Sequence, residues 1–166
     1  PKYFYTRRAH MKIAISKYSC IINADIPQEI YTMLQEECIK HDIKNISKDQ
    51  VIKFIKEHDE RGILDDVNFI YHAFTKTKPP DISQYIDRIL RLNDQFDDEF
   101  DLLTKGKRKN ALNVYYKLYI FLKKLHYKCT LDDFISVKSK EKLLEYEQIS
   151  QRAFENLGWK WINSDL

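Results

Sequence analysis

Glycine, proline and cysteine are all scarce here, with three Gly, four Pro and three Cys among 166 residues. So few turn-formers leave little material for the tight connections of a many-stranded sheet, and long helices are favoured. Three isolated glycines also exclude a Gly-rich phosphate loop. Cys20, Cys38 and Cys129 are odd in number and follow no framework spacing, so a reducing, intracellular compartment is expected. No apolar run approaches the roughly 18 residues that a spanning helix requires. The opening Pro1-Lys2-Tyr3-Phe4-Tyr5 lacks the charged-then-apolar order of a signal peptide. A first residue other than Met, already inside a structural pattern, reads as the start of a piece of a longer protein.

Hydrophobic residues make up 43% of the chain and charged residues 32%, which excludes a disordered chain. The length suits a single domain, 1–166, with a sizeable core. Net charge is only +3, too little to argue for nucleic acid by itself, so its distribution matters more. Residues 81–101 carry seven acidic side chains against Arg88 and Arg91, whereas 102–131 carry eight Lys and Arg and no acid. A second basic region, 1–24, holds Lys2, Arg7, Arg8, Lys12 and Lys17 without an acid. Such steps make a dipolar surface that a polyanion or an acidic protein meets basic side first. The chemistry they suggest is docking, not catalysis.

Apolar periodicity predicts an all-α fold of six to seven helices. The first is expected over about Tyr5–Cys20, with Ile13, Ile15, Tyr18 and Cys20 on its apolar side. Asp25-Ile26-Pro27 opens the second, which places Ile30, Met33, Leu34 and Cys38 on one face. Ser47 and Gln50 fit a capping box before Val51, Phe54 and Ile55. Gly62 is expected to end that segment, and Asp65 or Asp66 to cap the helix carrying Val67, Ile70, Tyr71 and Phe74. Pro79-Pro80 interrupts the helical pattern. Beyond it, a helix from about Ser83 turns Ile86, Ile89, Leu90, Phe96 and Phe100 inward and its carboxylates outward. The aromatic stretch from Leu112 to Leu125 has only a narrow polar stripe, Asn113, Lys117 and Lys124, and is expected to be the central helix. Thr130 and Asp133 cap a short segment, and a last helix from about Lys140 stops at Gly158.

The strongest binding candidate is the basic turn Lys105, Lys107, Arg108 and Lys109, placed just before the aromatic helix. Helix N-terminal N–H groups attract phosphate, so DNA contact there would position a duplex without reading it. The competing reading is a solvated loop, or one docked on the acidic helix. Arg7, Arg8 and Lys12 of the first basic region join the nucleic-acid candidates if the fold unites the two regions. Asp94, Asp97, Asp98 and Asp101 on one helix offer an acidic face to a partner, and Trp161 is a second partner candidate beside Trp159 and Lys160. Carboxylates on a single helix do not converge as a two-metal site requires, and no nucleophile elbow is present, so no catalytic residue is assigned. Cys38-x-x-His41 is half of a zinc spacing without a second pair, so no metal ligand is assigned either.

Several segments, in this order, carry a family resemblance. They are Phe4-Tyr-Thr-Arg-Arg-Ala-His10, Ile26-Pro-Gln-Glu-Ile-Tyr31, Asp66-Val-Asn-Phe-Ile-Tyr-His72 leading to Pro79-Pro-Asp-Ile-Ser83, Arg108-Lys-Asn110 before the Tyr-rich helix, and Asn156-Leu-Gly-Trp159. Together the chain resembles the poxvirus late transcription factor three-like family of nucleocytoplasmic large DNA viruses. The resemblance implies a viral factor that directs the viral RNA polymerase to late promoters, with polymerase and other late factors as partners and double-stranded DNA as a further ligand. It implies activity in the host cytoplasm and a zinc-binding segment ahead of the region matching Tyr3–His10. No C-x-x-C pair occurs in this chain, so zinc is expected only in that preceding segment. The alternative is an interaction scaffold of the transcription machinery that touches no DNA.

Overall fold

A computed structural model describes residues 2–105, 112–134 and 139–162. Among them are seven α-helices and no strand: α1 (Lys2–Ser19), α2 (Gln28–Lys40), α3 (Lys48–Glu57), α4 (Val67–Thr75), α5 (Ile86–Thr104), α6 (Val114–Lys124) and α7 (Lys140–Leu157). Three short 3-10 turns lie at Arg61–Asp66, Ser83–Tyr85 and Leu131–Asp133. The all-α expectation holds. Contacts divide the chain into two compact units, one of residues 1–15 and 82–166 and the other of residues 16–81.

The larger unit is built on α5, α6 and α7. Every residue of α6 from Tyr116 to Leu122 is buried, as expected of a helix enclosed on all sides. Helix α5 contributes Ile89, Leu90, Phe96 and Phe100 to the core, and α7 contributes Leu143, Tyr146, Ala153 and Phe154 at helical spacing. Phe96 is the hub. Its ring stands edge-to-face with Phe121 at 5.5 Å and with Phe154 at 6.2 Å, a preferred aromatic geometry. Truncating so buried a ring to Ala typically costs about 3–5 kcal/mol.

Local signals set the ends of these helices. Asn113 precedes α6, and its side-chain oxygen accepts the N–H groups of Tyr115 (2.9 Å) and Tyr116 (3.3 Å). Those donors are therefore already occupied at the end where phosphate was expected. Gly158 closes α7 in the left-handed region at φ +74, and the Trp159 N–H reaches the Phe154 carbonyl at 2.8 Å.

The smaller unit packs α2, α3 and α4 through Ile30, Met33 and Leu34, Val51, Ile52, Phe54 and Ile55, and Val67 and Ile70. The capping box at Ser47 is complete: the Gln50 N–H donates to Ser47 Oγ at 3.2 Å, and the Ser47 N–H to Gln50 Oε1 at 2.9 Å. Gly62 does not end α3. Asp59 takes the left-handed conformation (φ 57), and the Glu60 N–H donates to the Ile55 carbonyl at 3.0 Å, while Gly62 lies within the following 3-10 turn. Asp can adopt this conformation at low cost, so the stop did not need a glycine. Asp66 precedes α4 but makes no side-chain cap, because its Oδ1 accepts Lys17 Nζ at 3.1 Å. Ile13, expected on the apolar side of α1, is 52% exposed, and Met11 and Ala14 are buried instead.

Candidate functional site

Asp94, Asp97 and Asp101 recur at three and four residues on α5, and this ridge meets basic side chains of α1 and α6. Arg7 donates Nη2 to Asp101 Oδ1 at 2.7 Å and Nη1 to Oδ2 at 2.9 Å, the paired fork that guanidinium and carboxylate favour. Arg8 Nη1 donates to Asp94. Lys117 Nζ donates to Asp97 Oδ1 at 3.0 Å and Oδ2 at 3.2 Å. Burial pushes the Asp97 carboxyl up against the pull of Lys117, and burial pushes the Lys117 ammonium down against that of Asp97.

These pairs rearrange the site expected from sequence. Asp97 was expected to face a partner and is instead buried, since a neighbouring helix supplies its counter-ion. Asp94 and Asp101 bind Arg8 and Arg7, so the acidic ridge and the first basic region partly satisfy each other. Asp98 is exposed, as is Lys12 on α1. Lys105 is exposed at the end of α5 with φ 45, and its N–H donates to the Asp101 carbonyl at 2.9 Å. Lys107, Arg108 and Lys109 lie outside the described residues.

A second feature occupies the opposite end of α6. The last turn presents Lys123 and Lys124, and the chain then bends at His126 with φ 64. The segment after α7 returns Lys160 and Trp161 to the same place, forming a cleft of about 470 Å³ also lined by Tyr127 and Ile162. Both tryptophans stand edge-to-face with Phe154, Trp159 at 5.2 Å and Trp161 at 4.9 Å. Lys124 Nζ lies 5.1 Å from the Trp159 ring centroid. Of the lining residues, only Trp161 was a sequence candidate. The lysines at the end of α6 and the Trp-Lys-Trp run were the available signals, but about 35 residues separate them and periodicity does not join such distant segments.

Glu37 in the smaller unit is hydrogen-bonded to His58, with Nε2 3.2 Å from its Oε1, and His41 Nε2 lies 3.3 Å from its Oε2. The hydrogen bond from His58 holds the Glu37 carboxyl below its usual range. His41 stacks on Phe54 at 5.8 Å. No group of three or more His, Cys, Asp or Glu among the described residues is placed to hold a metal ion. No helix among them is long and apolar enough to cross a membrane.

Among the described residues the fold is all-helical, with charges paired between helices and a basic, aromatic cleft at the end of α6. The chain belongs to the family described as Poxvirus Late Transcription Factor VLTF3 like, whose model matches residues 1–161. It is 28% identical to "Putative transcription factor 282R" of Invertebrate iridescent virus 6, over 97% of this chain and 48% of that protein. It is likewise 28% identical to "Putative transcription factor 079L" of Invertebrate iridescent virus 3, over 98% of this chain and 48% of that protein. The chain therefore spans about half the length of these curated relatives. No solved structure matches it.

Proposed function

We propose that this chain is the helical part of a viral late-gene transcription factor that helps bring the viral RNA polymerase to late promoters, acting by binding and without catalysis. The observation that carries this reading is the family match across residues 1–161. Lys105 supports it as the described edge of a basic turn that continues in sequence through Lys107, Arg108 and Lys109. In this reading the turn and Lys12 approach duplex phosphates, while Asp98 remains for transcription partners. Arg7 and Arg8 hold α1 to α5. A zinc-binding segment, where the family resemblance implies one, lies outside these 166 residues.

The test is binding to a labelled DNA duplex across a salt series, beside a Lys107→Ala/Arg108→Ala/Lys109→Ala variant. Affinity that falls steeply with salt, with a shallower slope for the variant, supports phosphate contact by the turn. If neither protein binds at low salt, duplex contact by this chain fails.

The second reading is a scaffold that bridges polymerase and other late factors without DNA. It is favoured by the engagement of Arg7 and Arg8 with carboxylates, which removes two cations from the free basic surface. Co-purification with polymerase that persists in the triple variant, together with absent duplex binding, selects it.

A further inference from the structure

We infer that the cleft between the end of α6 and the segment after α7 binds unpaired nucleotides of a single-stranded nucleic acid. Lys124 and Lys160 bring ammonium groups to the cleft, and none of the described residues lining it is acidic. Among the described residues, phosphate would therefore meet no carboxylate on the cleft wall. Lysines on an open surface attract any polyanion, so charge alone would not select a ligand. The distinguishing feature is the presence of Trp161 and Tyr127 in the same cleft as the cations. Aromatic side chains beside a positive groove are how proteins take single strands, because every base has a face that stacks.

The dimensions agree with this occupant. A cleft of about 470 Å³ is in the range of small-ligand sites and has room for a nucleotide, whereas bases within a duplex are paired and stacked away from any protein ring. The rings are also set in place before a ligand arrives. Trp161 is held edge-to-face on Phe154 at 4.9 Å, and Tyr127 edge-to-face with Tyr85 at 5.7 Å. Little conformational freedom remains to be lost on binding. An acidic peptide would satisfy the lysines but has no use for the rings. The cleft lies at the C-terminal end of α6, an 11-residue helix about 16 Å long, whereas Lys107, Arg108 and Lys109 of the basic turn precede that helix in sequence. The inference therefore does not depend on duplex contact by that turn.

The experiment is fluorescence anisotropy of the intact chain with a labelled oligothymidylate about 12 nucleotides long, and with a duplex of the same length. Competitors are free thymidine monophosphate and a poly-glutamate peptide. Salt-sensitive binding of the single strand is expected, with quenching of tryptophan emission. Trp161→Leu should weaken it about tenfold or more, and Lys160→Ala should lower the salt slope by about 0.7. Lys160 is exposed, so its replacement leaves the fold intact even if Trp161→Leu disturbs it, and circular dichroism checks both. The Lys107→Ala/Arg108→Ala/Lys109→Ala variant should retain single-strand binding whatever its effect on the duplex. Absence of single-strand binding at low salt overturns the inference. It is also overturned if Trp161→Leu and Lys160→Ala bind like wild type, or if the poly-glutamate peptide or free nucleotide competes as well as the strand.

Discussion

Lys117 and Asp97 form an ion pair across the α5–α6 interface with both side chains only 5% exposed. Removing one partner would strand the other charge in the core. Lys117→Met is therefore expected to destabilise the protein by about 3–5 kcal/mol, whereas Asp97→Leu/Lys117→Met should recover most of that loss. Urea unfolding of the two variants measures the difference. A double variant no more stable than the single one would mean that the pair, and not its uncompensated half, sets the energy.

Arg7 and Arg8 lie in a basic region of sequence yet bond to Asp101 and Asp94. Arg7→Ala/Arg8→Ala is expected to cost about 1–2 kcal/mol, since Asp101 is half-exposed and solvent weakens that pair. The salt slope of duplex binding should stay unchanged. A fall of about 0.9 for each arginine would place the guanidinium groups on phosphate instead.

Phe154 carries both tryptophan rings. Phe154→Ala should lower stability by about 3–5 kcal/mol and shift tryptophan emission to the red as the rings gain water. Emission that stays unshifted would mean the rings are held by other contacts.

Acid should weaken the smaller unit through two groups. Burial holds His72 below its ordinary 6.5, so its stabilising contribution is complete above pH 6.5 and is lost as pH falls through the folded-state value. Glu37, depressed below 4.5 chiefly by its hydrogen bond from His58, contributes above pH 4.5 and loses that contribution on further acidification. His72→Gln should flatten the first of these losses. NMR titration of the His72 ring, with thermal unfolding at about pH 7 and about pH 5, separates the two.

Much of the helical pattern was legible because helix signals are local. The Ser47–Gln50 box, the stop at Gly158 and the start of α7 at Lys140 each depend on residues within one turn of one another. Where local rules allowed more than one solution, the expectation shifted. Asp59 ended α3 in place of Gly62, and Asp66 bound Lys17 in place of capping α4. Both alternatives obey the same chemistry, and only the position of neighbouring chain selects between them.

Site chemistry was less legible. A carboxylate ridge on α5 reads the same whether it faces water or a lysine, because helical spacing specifies a face and not what lies opposite. The cleft shows the same limit, since its lysines and its tryptophan belong to segments far apart in sequence.

Taken alone, the sequence determined an all-α protein with a buried aromatic helix α6, its steps of charge, and a resemblance that the family match later bore out. Those properties follow from periodicity, composition and ordered motifs, all of which exist before the chain folds. Only the tertiary structure decided which cations face carboxylates and which gather around aromatic rings. Side-chain pairing across helices depends on distances of a few ångströms between segments tens of residues apart, and packing alone sets those distances.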